Sequence, residues 1–167
     1  MRIIIGNLWN FDLRGNAIVI PGNIGWTKHG ENVMSAGVAK EARDRYPVLS
    51  SLIGERCQMY GKDTGVMAIY VNTHMFIFFP VKPLHPIIPH LSWNQPASID
   101  LVHKSCMELA KIEDVAQNIY LPLVGCGNGG LSPLDVYPIL RDTLSDRLTL
   151  VLQQDSAKLF KEQGWIS

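Results

Sequence analysis

Short apolar runs, rich in β-branched and aromatic residues, recur along the chain and are typical of buried strands. They cover residues 2–5, 17–20, 66–71, 75–79, 118–124 and 148–152. The third and fourth runs are separated only by Asn72-Thr73-His74, a short polar turn that predicts a hairpin. Because a hairpin joins antiparallel strands, we expect a mixed sheet of roughly six strands.

Between these runs, apolar residues recur every three or four positions, which predicts helices. The first predicted helix covers 34–46 and ends before Pro47, since proline cannot continue a helix. Ser98 and Ser132 stand where helix N-caps are expected, and Pro133 fits the first helical turn. Further helices are predicted at 48–59, 99–109, 132–144 and 156–163. This alternation predicts a layered α/β domain whose ligand site lies outside the carboxyl ends of the strands.

The composition narrows the classes of function. With 167 residues, we expect one domain spanning 1–167 that buries a core without disulfides or structural metals. Fifteen Lys and Arg residues balance fifteen Asp and Glu residues without blocks of like charge, which argues against a DNA-coating or membrane-surface role. Cys57, Cys106 and Cys126 are too widely spaced for a zinc knuckle and predict reduced thiols. The first residues do not resemble a signal peptide, so we expect a cytoplasmic protein. We also expect it to be a monomer.

A glycine-rich stretch follows the fifth predicted strand. Residues 121–131 read Leu-Pro-Leu-Val-Gly-Cys-Gly-Asn-Gly-Gly-Leu and lead into the helix that begins at Ser132. The glycines lack the Cβ atoms that would keep a ligand away from the backbone. Successive free N–H groups in such a turn bind anions without any charged side chain. The stretch therefore predicts a phosphate site, and a flexible turn without a ligand is the alternative.

A second glycine-containing turn follows the second predicted strand. Pro21-Gly22-Asn23 predicts a loop there, and residues 33–39, Val-Met-Ser-Ala-Gly-Val-Ala, lead into the first helix. Two such turns in one small sheet could hold a diphosphate from both sides.

Residues 79–97 interrupt the alternation of strands and helices. Prolines recur through this region, and we expect them to exclude regular structure across it. A proline-rich loop of this length inside a compact domain is typical of a functional or mobile segment. It carries Lys82, Trp93 and two histidines, His85 and His90, whose spacing is only a weak signal for metal binding.

Four segments, taken together, resemble the macro domain, a module that binds ADP-ribose. Gly6-Asn7-Leu8 is similar to the family's Gly-Asp-Ile or Gly-Asp-Leu after the first strand, and Asn23 falls on the asparagine that contacts the distal ribose. Residues 34–39 look like the family's Met-Gly-Ala-Gly-Ile-Ala loop, and 125–131 look like its Gly-Cys-Gly-x-Gly-Gly-Leu phosphate loop. The resemblance covers nearly the whole chain and implies a three-layer α/β/α fold.

The resemblance also implies a ligand and its contacts. ADP-ribose, free or attached to a macromolecule, would be the partner, without a metal or cofactor, and a nucleic acid would enter only as a modified substrate. The residues implied to bind it are Asn7, Leu8, Asn23, Ser35, Ala36, Gly37, Val38, Gly125, Cys126, Gly127, Asn128, Gly129, Gly130 and Leu131.

Phe79-Pro80-Val81-Lys82 points to one branch of the family. It resembles the Thr-Lys or Pro-Thr-Lys at a strand end in the terminal ADP-ribose protein glycohydrolases and in the bacterial antitoxin glycohydrolases that strip ADP-ribose from DNA. The resemblance implies that Lys82 is the catalytic residue, acting at the anomeric carbon of the distal ribose. A partly desolvated lysine amine suits that role because its pKa is depressed and its neutral form is nucleophilic.

Three positions depart from the family. Asn7 stands where an aspartate usually accepts a hydrogen bond from the adenine amino group, and Ser35 replaces a glycine. Gly129 occupies the position of a carboxylate used in acid-assisted catalysis, so a mechanism based on lysine alone is the one that stays open.

The resemblance leaves two alternatives to a hydrolase. A pure reader of ADP-ribose or related metabolites would bind without turnover. A phosphatase acting on ADP-ribose with a terminal phosphate would need His85 or His90 as acid or base.

Overall fold

The computed structural model describes residues 1–167 and contains one mixed sheet of six strands. Only the hairpin pair is antiparallel, as the short turn at 72–74 predicts. The spatial order of the strands is β1-β6-β5-β2-β4-β3. The strands are β1 (Arg2–Ile5), β2 (Asn16–Asn23), β3 (Met67–Val71), β4 (His74–Lys82), β5 (Asn118–Leu121) and β6 (Leu148–Leu152).

Five α-helices cover the two faces of this sheet. They are α1 (Gly37–Arg45), α2 (Leu49–Tyr60), α3 (Ile99–Ala110), α4 (Pro133–Thr143) and α5 (Gln154–Glu162). Buried residues of α1 and α2 share one apolar cluster with one side of the sheet, and those of α3, α4 and α5 share a second cluster with the other side. The predicted three-layer α/β/α architecture is confirmed.

Two helix starts follow the predicted capping. The Ser98 hydroxyl oxygen accepts a hydrogen bond from the Leu101 N–H at 3.2 Å, and the Ser132 hydroxyl oxygen accepts one from the Leu134 N–H at 3.2 Å. Each cap satisfies a main-chain donor that the first helical turn leaves free. No helix of the chain is both long and apolar enough to cross a membrane.

Two strands are longer than predicted. β2 continues through Pro21-Gly22-Asn23, predicted as a loop, because these residues pair with the end of β4. β4 continues through Pro80 to Lys82, although the prolines of 79–97 were expected to exclude regular structure. The pairing of β3 stops opposite Phe78, so beyond it β4 is paired on one side only and tolerates a residue without an N–H.

Other predicted bounds also needed correction. β5 ends at Leu121 rather than 124, and α1 begins at Gly37 rather than 34. Met34 is buried but lies in the loop before α1. Its spacing from the apolar residues of α1 matches a helix, so the predicted helix began too early. A 3-10 turn at Pro89–Asn94 gives the proline-rich region a second regular element.

Candidate functional site: a cleft at the carboxyl ends of the strands

A cleft of about 1490 Å³ opens where the parallel strands end. It is bounded by the residues that follow β1, β2, β5 and β6 and by the end of β4. Crevices at this edge of a parallel sheet are where α/β domains bind ligands, as the sequence predicts.

The glycine-rich loop borders this cleft and contains a run of unpaired donors. No atom of the protein accepts a hydrogen bond from the N–H groups of residues 125–129. The loop is nevertheless held in shape, because the Leu131 N–H donates to the Gly125 carbonyl at 3.0 Å and the Ala97 N–H donates to the Gly129 carbonyl at 3.0 Å. Such a fixed array of free amides is suited to an anion.

Two glycines of this loop differ in the space around them. A Cβ atom at Gly129 would lie 2.5 Å from the Gly125 carbonyl oxygen and 2.6 Å from the Ala97 Cβ, so no side chain fits there. A Cβ atom at Gly127 would meet nothing within 4 Å. Gly129 therefore serves packing, whereas Gly127 leaves open space beside the free amides.

The loop before α1 presents a second set of free donors. The N–H groups of residues 33–39 have no hydrogen-bond partner. Those from Gly37 onwards belong to the first turn of α1, where no preceding helical carbonyl is available to accept them. Asn23 braces the loop, since its Nδ2 donates to the Val33 carbonyl at 2.9 Å and its Oδ1 accepts from the Gly25 N–H at 3.0 Å. The predicted ribose contact, Asn23, is thus 5% exposed and engaged within the protein.

Asn32 completes this bracing, a role that the sequence does not predict. Its Nδ2 lies 2.8 Å from the Asn23 carbonyl oxygen and 2.8 Å from the Gly25 carbonyl oxygen. The side chain is buried, and its backbone N–H donates to the Ser50 carbonyl at 2.9 Å. An isolated asparagine in a loop gives no sequence signal for such a role.

Lys82 ends β4 and pairs with Asn23 at the end of β2. Its Nζ donates to the Trp93 carbonyl at 2.8 Å, and the side chain is half-buried at the wall of the cleft. Burial lowers the pKa of the Lys82 amine, because desolvation disfavours the charged form.

Trp9 and Glu41 form the opposite end of the cleft and were not predicted. The Trp9 indole N–H donates to the Glu41 carboxylate, and the Arg45 guanidinium lies over the Trp9 ring at 4.6 Å. The predicted ligand residue Asn7 also lies here, where its Oδ1 accepts from the Trp9 backbone N–H at 2.9 Å and caps the turn at Leu8–Asn10.

Charged side chains are few in this cleft and well separated. Among the 35 residues that line it, Glu41 is the only carboxylate, and Arg45 and Lys82 are the only Lys or Arg residues. β1 and β4 are four strand spacings apart in the sheet, which separates their ends by about 19 Å. The cleft is therefore elongated, with Asn7 near one end, the amide-rich loops between and Lys82 near the other.

Most of the predicted site residues border this cleft. They are Asn7, Leu8, Asn23, Ser35, Ala36, Gly37, Val38, Lys82, Gly125, Cys126, Gly127, Asn128, Gly129 and Gly130. Leu131 does not, because its side chain packs against the core beneath the loop.

Three other residues considered from the sequence have different surroundings. Burial, helped by Asp135, raises the pKa of the Cys126 thiol to about 12, which leaves little reactive thiolate. His85 lies outside the cleft, with its Nδ1 accepting from the Ile88 N–H at 2.9 Å. His90 also lies outside, so the cleft offers no histidine for phosphatase chemistry.

No model of a known protein family and no curated protein sequence matches this chain. Solved structures do match. The macrodomain of Thermus aquaticus DarG superposes with a TM-score of 0.69 at 22% identity, over 92% of this chain and 97% of that one. The macrodomain of Mycobacterium tuberculosis DarG gives a TM-score of 0.64 at 21% identity, over 89% and 97%.

Thermosipho africanus DarTG, solved in complex with ADP-ribose, gives a TM-score of 0.68 at 17% identity. The match covers 92% of this chain but 42% of that longer chain. Together with the strand order and the cleft, these matches show that the chain has the macrodomain fold.

Proposed function

We propose that the cleft binds ADP-ribose and that Lys82 hydrolyses the bond joining the distal ribose to a modified macromolecule, protein or nucleic acid. The observation that carries this proposal is the placement of Lys82. A half-buried amine with a lowered pKa ends β4 beside Asn23, at the far end of the cleft from Asn7.

The shape and donors of the cleft support ADP-ribose as the ligand. Two sets of free amides, at 33–39 and 125–129, border the middle of the cleft and suit a diphosphate. The separation of β1 and β4 across the sheet, about 19 Å, leaves room for a nucleoside on one side of the diphosphate and a sugar on the other. Thermosipho africanus DarTG, which shares the fold, was solved with ADP-ribose.

Two forms of catalysis are open to Lys82. In the first, the neutral amine attacks the anomeric carbon, and the bond from that carbon to the macromolecule breaks. The proton lost by the attacking nitrogen passes to the departing atom, and water then replaces the lysine to release ADP-ribose. In the second, the ammonium stabilises developing charge while water attacks. The lowered pKa of Lys82 favours the first form, because it increases the fraction of neutral amine.

The test compares wild type with Lys82→Ala on mono-ADP-ribosylated protein and on mono-ADP-ribosylated single-stranded DNA. We expect Lys82→Ala to release ADP-ribose at least about 100-fold more slowly, the scale of losing a proton-transferring or nucleophilic group. Calorimetric affinity for free ADP-ribose should change little. Lys62→Ala, which removes an exposed lysine outside the cleft, is the matched control. Undiminished release by Lys82→Ala would disprove the catalytic role.

A pure ADP-ribose reader is the second candidate, favoured by a specific observation. Gly129, the position where related enzymes carry an acid, has no room for a side chain, and Glu41 belongs to the other end of the cleft. This candidate predicts tight binding of ADP-ribose with no release from either substrate.

A further inference from the structure

Glu41 is the single carboxylate in a cleft otherwise lined by neutral groups and two cations. It lies on α1, one turn after the free amides that open this helix, and its side chain is half-buried. A carboxylate in a site for a diphosphate ligand opposes the charge of that ligand, so its presence calls for a separate physical reason.

One hydrogen bond holds the Glu41 side chain, and Arg45 bonds to the main chain of the same residue. Its Oε2 accepts the hydrogen bond from the Trp9 indole, and its main-chain carbonyl accepts one from Arg45 Nη1 at 3.3 Å. The Arg45 guanidinium lies over the indole ring and forms no ion pair with the Glu41 carboxylate. Oε1 of Glu41 has no hydrogen-bond partner in the protein.

Asn7 is a neighbouring acceptor at this end, but it is neutral and already accepts one hydrogen bond. Asn7 Oδ1 receives the Trp9 backbone N–H, and that bond caps the turn after β1. The indole N–H of Trp9 is likewise used, by Glu41. Glu41 is therefore the one charged acceptor at the end of the cleft remote from Lys82, and its Oε1 has no partner in the protein.

From this arrangement we infer that Glu41 is a specificity-determining residue that accepts a hydrogen bond from an exocyclic amino group on the base of the bound nucleotide. An ionised carboxylate has acceptors and no donor, so it attracts an amino group and repels a carbonyl oxygen at the same place. The inference rests on the proposed function, because it takes the base of the ligand to lie at the end opposite Lys82.

Adenosine and inosine forms of one ligand test this directly. ADP-ribose carries an amino group on the six-membered ring of its base, and inosine diphosphate ribose carries an oxo group there. We expect wild type to bind ADP-ribose about 10- to 100-fold more tightly by calorimetry, the scale of one charge-assisted hydrogen bond.

Glu41→Gln separates recognition from folding. The glutamine carbonyl can still accept the Trp9 indole N–H, so the local structure should persist, while its amide adds a donor that suits an oxo group. We expect the preference to fall at least tenfold or to reverse. Trp9→Phe removes the donor that orients Glu41 and should lower the preference in the same direction. Asp44→Asn, on the exposed face of α1 and outside the cleft, should leave the ratio unchanged.

The outcomes distinguish the role of Glu41 from the binding of ADP-ribose itself. Equal affinity of wild type for both ligands, or a ratio unchanged in Glu41→Gln, overturns the role of Glu41 while ADP-ribose binding stands. Failure of wild type to bind either ligand overturns the proposed function, and this inference with it.

Discussion

The Lys82 amine donates to the main-chain carbonyl of Trp93 at 2.8 Å, across 11 positions of the chain. That carbonyl belongs to the 3-10 turn Pro89–Asn94, which is fixed by Ser92. The buried Ser92 hydroxyl donates to the Pro89 carbonyl at 2.8 Å and accepts from the His85 N–H at 2.8 Å. The position of the amine therefore depends on a serine that does not line the cleft.

Ser92→Ala should alter the chemistry at Lys82 without altering the binding of ADP-ribose. Loosening the turn gives water more access to the amine, so its pKa should move back towards the ordinary lysine value of 10.5. If the neutral amine is the reactive form, the rising limb of the kcat against pH profile shifts to higher pH. Ser98→Ala, which removes a helix cap elsewhere, should cost about 1 kcal/mol of stability without that shift.

Lys82→Met should raise the melting temperature at pH 7. Burial lowers the pKa of Lys82 in the folded protein, so between the folded and unfolded pKa values the unfolded chain binds more protons. The free energy of unfolding therefore rises with pH across that window. Below the window the amine is charged in both states, and its burial in the folded protein lowers stability. The gain from methionine should shrink as the pH approaches 10.5. Lys62→Met, at an exposed lysine, should show no such gain, and a lower melting temperature for Lys82→Met would contradict the argument.

Gly127→Ala should affect binding, whereas Gly129→Ala should affect folding. The added methyl group at Gly127 meets open space, so the melting temperature should stay near wild type while ADP-ribose affinity falls. At Gly129 the methyl group would collide with the Gly125 carbonyl and with Ala97, so we expect a loss of about 1–3 kcal/mol in unfolding free energy. Urea denaturation and calorimetry measure the two effects. Equal destabilisation by both variants would be inconsistent with the loop described above.

Asn32→Ala should destabilise the protein and weaken ligand binding together. Its side chain ties the Asn23 and Gly25 carbonyls beneath the loop at 33–39, and removing it leaves buried acceptors unpaired. We expect a loss of about 1–3 kcal/mol in unfolding free energy. The affinity for ADP-ribose should fall because the free amides of the loop lose their fixed arrangement. If Asn32→Ala destabilised the protein but left the affinity unchanged, the hydrogen bonds of Asn32 would not contribute to the binding site.

The order of elements was predictable because apolar periodicity and capping act locally. β1 and β6 have the predicted bounds, and Ser98 and Ser132 cap their helices. The extension of β4 through Pro80 was not predictable, since it depends on where the pairing partner β3 stops.

The candidate site also has one part that local sequence predicts and another that depends on distant contacts. The glycine-rich loop can be recognised from composition alone, because its function resides in the backbone. The contact between Trp9 and Glu41 spans 32 positions and depends on how α1 is rotated against the end of β1, which local sequence does not specify. Glu41 in isolation looks like an ordinary solvent-facing residue of an amphipathic helix.

The crowding at Gly129 limits what mutation can achieve. Glycine codons are one base change from those of aspartate or glutamate, so an acid at this position is genetically close. Sterically it is distant, because the first carbon of any side chain would overlap the Gly125 carbonyl as well as the Ala97 methyl group. Even a prior Ala97→Gly change would relieve only one of the two collisions. A lineage with this backbone would have to reshape the loop before it could adopt acid-assisted chemistry there.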